Sequence, residues 1–480
     1  MNNRSHIPPD RATVRVRALA IGFAVAAAIS ATVLVADAGL QDGFQIWDAF
    51  RICLILLTTG WLAWGAALSL SGLWPVRGAR NGTEKLSSSS TVVLVPICNE
   101  DPVATFARIA AMDGSIRDAG LDLDIVILSD TRSVDGQAAE QAAFRMLIAE
   151  TRGGGHIYYR NRTDNRGRKA GNVEDFIRTS GGAYDYAVTL DADSLVSGSA
   201  LAHMIARMDE DPKLGLLQTL PKIIGARSVF GRAMQFSSAW HGPVVTRGLE
   251  RMQGSVGPYW GHNALIRTRA FVEHCELPVL PGEAPLGGHV LSHDQLEAVY
   301  MRRAGFEVRV IPVETRSYET NPPTLLEFQK RDLRWCQGNM QYLKLLDLPN
   351  LPVVSRLQLF LAILMYVGAP GWMLLIIFGV LMIASATQGA VDPDLVNRVP
   401  DQISFAIAGV IAVFVLTIID YRTLGGLDTW LYVIMIILLL MVEFLGVEGD
   451  AGAQRWINLG IRIQPSEIGK ILIIITLSNF

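Results

Sequence analysis

Long apolar runs fall at 18–36, 52–70, 357–385, 403–419 and 430–446, and a sixth begins at 467. Each is about the length that crosses a bilayer core as a helix. Arg11, Arg15 and Arg17 precede the first run, Asp37, Asp42 and Asp48 separate it from the second, and Arg77, Arg80 and Lys85 follow. That distribution predicts a hairpin over 18–72 with both flanks in the cytosol, behind a tail of residues 1–17. The first run reads as a retained span rather than a cleaved leader, because a second span follows so soon. A linker over 73–90, with serines at 87–90, leads out of the hairpin.

From 91 to 340 the pattern changes. Short β-prone runs, VVLVPI (92–97), DIVILSD (124–130), HIYYR (156–160) and YAVTLDADS (186–194), alternate with charged segments of helix length. Such alternation predicts an α/β domain, Rossmann-like, with a mixed and mainly parallel sheet whose ligands sit at the carboxyl ends of the strands. Asp130, Asp191 and Asp193 lie at those ends. On extended chain residues i and i+2 point the same way, so the two aspartates are expected to present their carboxylates together, or one directly and the other through water. Hard oxygen ligands of this kind suit Mg2+ or Mn2+ bridging a diphosphate. The competing reading is a strand end whose aspartates cap the next helix.

Composition removes several classes. Half of the residues are hydrophobic, and a net charge of −3 gives no bias toward nucleic acid. Cys53, Cys98, Cys275 and Cys336 have neither CxxC nor Cys/His spacing, so no zinc site or disulfide framework is expected.

Five stretches in fixed order carry the chemistry: LSD (128–130), NRGRKAGNVEDF (165–176), TLDADS (189–194), LSHDQ (291–295) and KRDLRWCQGN (330–339). In this order the chain resembles the processive membrane glycosyltransferases of family 2, with a glycosyltransferase A-type fold. YWGHNALIR (259–267), GGHVLSHD (287–294) and RSYETNPPTL (316–325) are most similar to the glucans biosynthesis glucosyltransferase H group, over roughly 90–385. The resemblance implies that Asp130 binds uridine and ribose, Lys169 the nucleotide, and Asp191 with Asp193 the metal and diphosphate. It makes Asp294 the base that takes the acceptor proton while the donor inverts. Arg334 becomes a bidentate donor-phosphate ligand and Trp335 a stacking face for the acceptor sugar. The group's His-Asp form stands at 293–294, where His293 either tunes Asp294 or is structural. Arg331 replaces the glutamine of the family's Gln-x-x-Arg-Trp pattern, which leaves that glutamine's acceptor role unassigned. Arg160, Arg162, Arg166 and Arg168 read equally well as a solvated face.

Residues 341–356 are expected to lie at the membrane interface as a helix, before the span at 357–385. A junction at 386–402 leads to 403–480, where GAQRWINLG (452–460) and QPSEIGK (464–470) resemble a fragment of the SEDS cell-shape and division proteins, RodA-like in detail. The chain is thus expected to be a fusion. Its expected activity is that of a multi-pass inner-membrane β-glucosyltransferase, using UDP-glucose, a growing β-glucan and Mg2+ or Mn2+. Three alternatives stand beside it: a synthase with another UDP-sugar donor, a lipid-linked glycan polymerase or flippase of SEDS type, disfavoured because only a fragment of that family is present, and a catalytically silent partner of envelope proteins in the SEDS machinery.

Overall fold

The computed structural model describes residues 10–39, 46–74, 89–151, 155–386, 428–448 and 454–458, with scattered positions between 403 and 411 and between 462 and 472. By contact the chain divides into two units, Met1–Ala226 with His241–Gln388, and Arg227–Trp240 with Gly389–Phe480.

The first unit opens with two apolar helices, α1 (Arg11–Gly39) and α2 (Ile46–Gly72). The α/β domain follows in the order β1 (Thr91–Ile97), α3 (Pro102–Asp118), β2 (Asp124–Ser129), α4 (Val134–Thr151), β3 (Ile157–Asn161), α5 (Arg168–Ser180), β4 (Tyr186–Thr189), β5 (Leu195–Val196), α6 (Gly198–Glu210), β6 (Leu214–Gln218) and β7 (Lys222–Ile223). Then come α7 (Val229–Gln253), β8 (Ala264–Arg267), α8 (Thr268–His274), β9 (Val279–Leu280), β10 (Gly288–His289), α9 (His293–Arg303), β11 (Glu307–Val310), β12 (Ser317–Glu319), α10 (Leu325–Gln341) and α11 (Val353–Ala386).

Seven strands form one sheet in the order β11-β6-β8-β4-β1-β2-β3, parallel except for β8, which runs against both β4 and β6. The mixed, mainly parallel sheet expected from the alternating pattern is present. All seven residues of β1 are buried, as strands covered on both faces require. Side chains alternate between the faces. Val92, Leu94, Val126 and Leu128 pack with Phe176 of α5, Phe271 of α8 and Val299 of α9. Val93, Val95, Ile125 and Ile127 pack with Ile109 of α3 and Met204 of α6. Helix starts follow local chemistry: Asp101 caps α3 by accepting from the Val103 N–H at 3.0 Å, with Pro102 just inside.

Among the described residues, three helices are long and apolar enough to cross a membrane: Arg11–Asp37, Ile46–Gly72 and Val353–Met382. Two glycines let α2 run against the second half of α7. A β-carbon on Gly72 would sit 2.8 Å from the Val244 carbonyl carbon, and one on Gly248 3.0 Å from that of Leu68. Arg247 and Arg251 then cap the end of α2, donating to the carbonyls of Gly72 at 2.8 Å and Trp74 at 2.7 Å. Arg17 of α1 donates in turn to the carbonyl of Met252, at 3.0 Å, where α7 ends. Cations at helix C-termini satisfy orphan carbonyls and the dipole together.

The stretch 341–356 departs from its expected form. After α10 there is one 3-10 turn (Tyr342–Lys344), then irregular chain to Val353. Pro349 and Pro352 lack the N–H that a helix needs, and Asn350 takes φ 59° between them. Tyr342, Leu345 and Leu351 join the domain core.

In the second unit, α12 (Asp428–Leu445) covers the apolar run at 430–446. It is followed by an antiparallel sheet of β13 (Val447–Glu448), β14 (Gln454–Asn458) and β15 (Arg462–Ile463), which takes in most of GAQRWINLG. The junction at 386–402 beyond Ala386, most of the run at 403–419 and most of that from 467 lie outside the described residues.

Candidate active site

The turns that leave β2, β3 and β4 bring three of the sequence motifs to one edge of the sheet. Asp130 follows β2 and is buried, with its carboxylate accepting from Arg162 Nε at 2.6 Å, Arg162 Nη2 at 2.9 Å and Asn172 Nδ2 at 2.9 Å. Arg162 is one of the arginines that read as a solvated face, yet it forks onto Asp130 and also reaches the carbonyls of Arg166 and Arg168. It thereby ties the NRGRK turn to the end of β2. Asn165 adds a bond to the Asp130 carbonyl at 2.5 Å. Three of the four acceptor positions of the Asp130 carboxylate are therefore taken within the protein.

The chain leaves β4 in a turn, not as extended strand. Ser194 N–H donates to the Asp191 carbonyl at 3.0 Å, and its hydroxyl accepts from the Asp191 N–H at 3.0 Å. Within this turn the two carboxylates take different partners. The Lys169 ammonium contacts Asp191 Oδ1 and also donates to the Gly261 carbonyl at 2.8 Å. Asp193 Oδ2 accepts from the Thr320 hydroxyl at 2.6 Å and backbone N–H at 3.3 Å. Burial pushes the Asp191 carboxyl up, but Lys169 and His262 outweigh it and hold it at about 2.

Gly261 is the hinge of the arrangement. Its φ of +82° suits glycine, and a β-carbon there would lie 3.4 Å from the Asp294 β-carbon. One residue thus separates the lysine on the Asp191 side from the base expected at 294. A buried polar network holds this loop: Asn263 Nδ2 donates to Ser317 Oγ at 2.8 Å, Ser194 Oγ donates to Asn263 Oδ1 at 2.5 Å, and Trp260 N–H donates to Gln218 Oε1 at 2.9 Å.

Asp294 lies half-buried in the first turn of α9, where the helix dipole favours an anion. Behind it His293 Nδ1 and Glu297 Oε2 are 3.1 Å apart. Burial pushes the His293 imidazolium down, and Glu297 with Asp294 push back harder, leaving it raised. Burial raises the Glu297 carboxyl, which His293 only partly offsets. The end of α10 positions the run into α9. Gln341 Oε1 accepts from the Leu291 N–H at 2.9 Å, Tyr342 OH donates to the Ser292 carbonyl at 2.6 Å, and Gly338 packs directly on Ser292.

Along α10, Trp335 is 43% exposed and Arg334 is exposed. Arg331, half-buried, lies with its guanidinium 4.5 Å from the Trp335 ring centre and 5.4 Å from that of Phe328. Burial pulls the Arg331 guanidinium down, while Glu319 and Asp193 pull it back up. Glu319 in turn faces His262 at 3.4 Å, and burial raises its carboxyl with help from Asp193 and Asp191. Motif reading gave no site role to Arg162, His262, Glu319, Thr320 or Arg331, although His262, Glu319 and Thr320 lie inside YWGHNALIR and RSYETNPPTL. Arg331 left a further signal, since 328, 331 and 335 fall on one helical stripe while 334 lies further round.

A mixed seven-stranded sheet with carboxylates along its carboxyl edge is the architecture of A-type glycosyltransferase domains, here in a chain with three helices long and apolar enough to cross a membrane among the described residues. Residues 92–275 match the Glycosyl transferase family 2 model, so this stretch is a family 2 domain. It is homologous to the glucans biosynthesis glucosyltransferases H. The chain is 48% identical to that of Cereibacter sphaeroides over 368 residues, covering 75% of this chain and 61% of the relative. It is 37% identical to that of Xylella fastidiosa over 372 residues, 75% of this chain and 58% of the relative. The chain therefore spans about three-fifths of the length of these curated relatives. The mannosyltransferase PcManGT from Pyrobaculum calidifontis, solved with GDP-Man and Mn2+, shares the fold with a TM-score of 0.51 at 18% identity, over 77% of this chain and 96% of that one. Residues 367–480 match the Cell cycle protein model of the FtsW, RodA and SpoVE type, which begins inside α11, earlier than the boundary near 402 expected from sequence.

Proposed function

We propose that this chain is an inverting β-glucosyltransferase of a bacterial inner membrane, moving glucose from UDP-glucose to the end of a growing β-glucan on the cytosolic side. The observation that carries the reading is the meeting at Gly261, where the Lys169–Asp191 pair lies on one side and Asp294 on the other. The 48% identity to a glucans biosynthesis glucosyltransferase H supports glucose as the sugar and a glucan as the product; UDP as its carrier rests on the motif resemblance.

Asp193 with Asp191 would hold Mg2+ or Mn2+. Among the described residues no three His, Cys, Asp or Glu side chains form a ready cage, and Mg2+ shared with a diphosphate needs only one or two carboxylates. Asp193 has its Oδ1 free of hydrogen bonds among the described residues, which fits such a ligand. A bound ion supplies positive charge against the diphosphate oxygens.

The protein's own groups do the rest. Asp130, already oriented by Arg162 and Asn172, keeps one acceptor position for the uridine or ribose. Lys169 sits where a donor phosphate can draw it partly away from Asp191. Asp294 accepts the proton of the acceptor hydroxyl as its oxygen bonds to the anomeric carbon; the bond from that carbon to the phosphate oxygen breaks, and its electron pair leaves with UDP. Trp335 offers a ring face to the acceptor sugar, and Arg334, from the exposed side of α10, is a donor-phosphate contact only if the helix or the donor moves to meet it.

The test is UDP release by the detergent-solubilised full chain over a panel of sugar nucleotides. Turnover of UDP-glucose that requires Mg2+ or Mn2+ and is lost in Asp294→Asn is the expected result. Turnover of UDP-N-acetylglucosamine instead would replace the donor. No turnover of any donor, with envelope proteins copurifying reproducibly, would favour the silent-partner reading that the match over 367–480 supports.

A further inference from the structure

The ring face that an acceptor sugar would use is not bare. Arg331 lies over Trp335 at 4.5 Å and beside Phe328 at 5.4 Å, and its Nε is buried with no hydrogen-bond partner. Three carboxylates act on its charge, Glu319, Asp193 and Asp332; the first two border the donor side, Asp193 bonded to Thr320 and Glu319 facing His262. The same guanidinium therefore covers the acceptor platform and answers to the donor site. Lys330 and Arg334, on the same helix, are exposed.

We infer that Arg331 is a donor-gated cover. In the donor-free protein it lies on Trp335; when the nucleoside diphosphate arrives with its divalent cation, Arg331 moves onto the diphosphate and uncovers the ring, so that glucan binds productively after the donor. The direction follows from competing contacts. A nucleoside diphosphate still brings net negative charge to that side after one divalent cation is counted against it, so the pull on Arg331 grows when the donor binds. Stacking on a half-exposed ring is weak beside a forked, charge-assisted contact with phosphate oxygens, and the unpartnered Nε is one of the two donors such a fork needs. Arginine has both the planar face for the ring and the fork for the phosphate, whereas the glutamine found here in the wider family has no charge to be drawn across. This inference rests on Trp335 being the acceptor platform of the proposed glucosyltransferase.

The experiment measures binding of a β-glucan oligosaccharide to the full chain in detergent, by calorimetry, with and without UDP plus Mn2+. The native protein should bind the oligosaccharide roughly tenfold more tightly when UDP and Mn2+ are present. Arg331→Gln should bind it tightly in both conditions, with the gain reduced below about twofold and the KM for UDP-glucose raised. Arg331→Lys keeps the charge but lacks the planar stack, and should likewise leave the ring open; it carries the test if the glutamine variant does not fold. Lys330→Gln should keep the native gain. A full native gain in both Arg331 variants overturns the inference, as does a native protein that binds UDP with Mn2+ yet shows no change in oligosaccharide affinity. A native protein that neither binds UDP with metal nor releases it from UDP-glucose overturns the proposed function along with it.

Discussion

Lys169 holds Asp191 from one side and the Gly261 carbonyl from the other, so a single ammonium ties the carboxyl end of β4 to the loop that borders Asp294. Its charge outweighs the burial of Asp191 and keeps that carboxyl at about 2, below its ordinary 3.8. A carboxyl lowered on folding adds stability that is complete above its ordinary value and is lost as pH falls through the folded one. Acid should therefore remove this contribution between about pH 4 and pH 2. In Lys169→Met the loss in that window should shrink, as read from the unfolding midpoint against pH. An unchanged acid limb would mean that Lys169 does not set the charge of Asp191.

Replacing Asp191 or Asp193 by alanine should weaken UDP-glucose binding in Mg2+ or Mn2+ and abolish turnover. The structure gives the two aspartates different partners, which changes what each variant reports. Asp193→Ala should mainly raise the metal concentration needed for donor binding, while Asp191→Ala also releases Lys169 and should lower donor affinity even in excess metal. Calorimetric titration of UDP at several Mn2+ concentrations distinguishes them, and indifference of both variants to metal would remove the assignment.

Asp294→Asn keeps the shape of the side chain and removes the proton acceptor. Donor affinity should hold while turnover drops on the order of a hundredfold or more. Near-native transfer by this variant would move the base to another carboxylate. Glu297 is a poor substitute, because it is buried and its carboxylate already faces His293.

The fold was legible where a strand is covered on both faces, since β1, β2 and β4 are unbroken apolar runs whose last residues lead into Asp130 and Asp191. The antiparallel β8 was not, because ALIR reads the same in either direction. The site followed a similar division. Residues at strand ends have their place set by the strand, so Asp130, Asp191 and Asp193 could be put on one edge from spacing alone. Their orientations depend on partners far along the chain: Asp193 on Thr320, and Asp191 on Lys169 with Gly261. No local pattern encodes such pairings. Helix phase was an unused signal, as the 328, 331 and 335 stripe favours Arg331 over Arg334 for the inner face.

Gly338 makes the last prediction, because it joins the Trp335 helix to the candidate base without touching any substrate. A β-carbon there would come within 2.6 Å of the Ser292 backbone nitrogen, too close for any real contact, and Ser292 is the residue from which α9 and Asp294 start. Backbone cannot rotate out of the way as a flexible side chain can, so Gly338→Ala must push α10 off the 287–292 segment. Gln341 and Tyr342, one turn further on, would then be pulled from Leu291 and Ser292. Overpacking of this kind costs about 1–3 kcal/mol, and a base displaced by even about 1 Å can lose on the order of a hundredfold in rate. Asp130, Lys169 and Asp191 are held by β2, β4 and α5, whereas Arg331 and Arg334 travel with α10, so donor affinity should fall less than turnover. The expected result is a lower unfolding midpoint, turnover reduced at least about tenfold and a smaller loss of UDP affinity. Native turnover in a folded Gly338→Ala protein would show that Asp294 does not depend on α10 for its position.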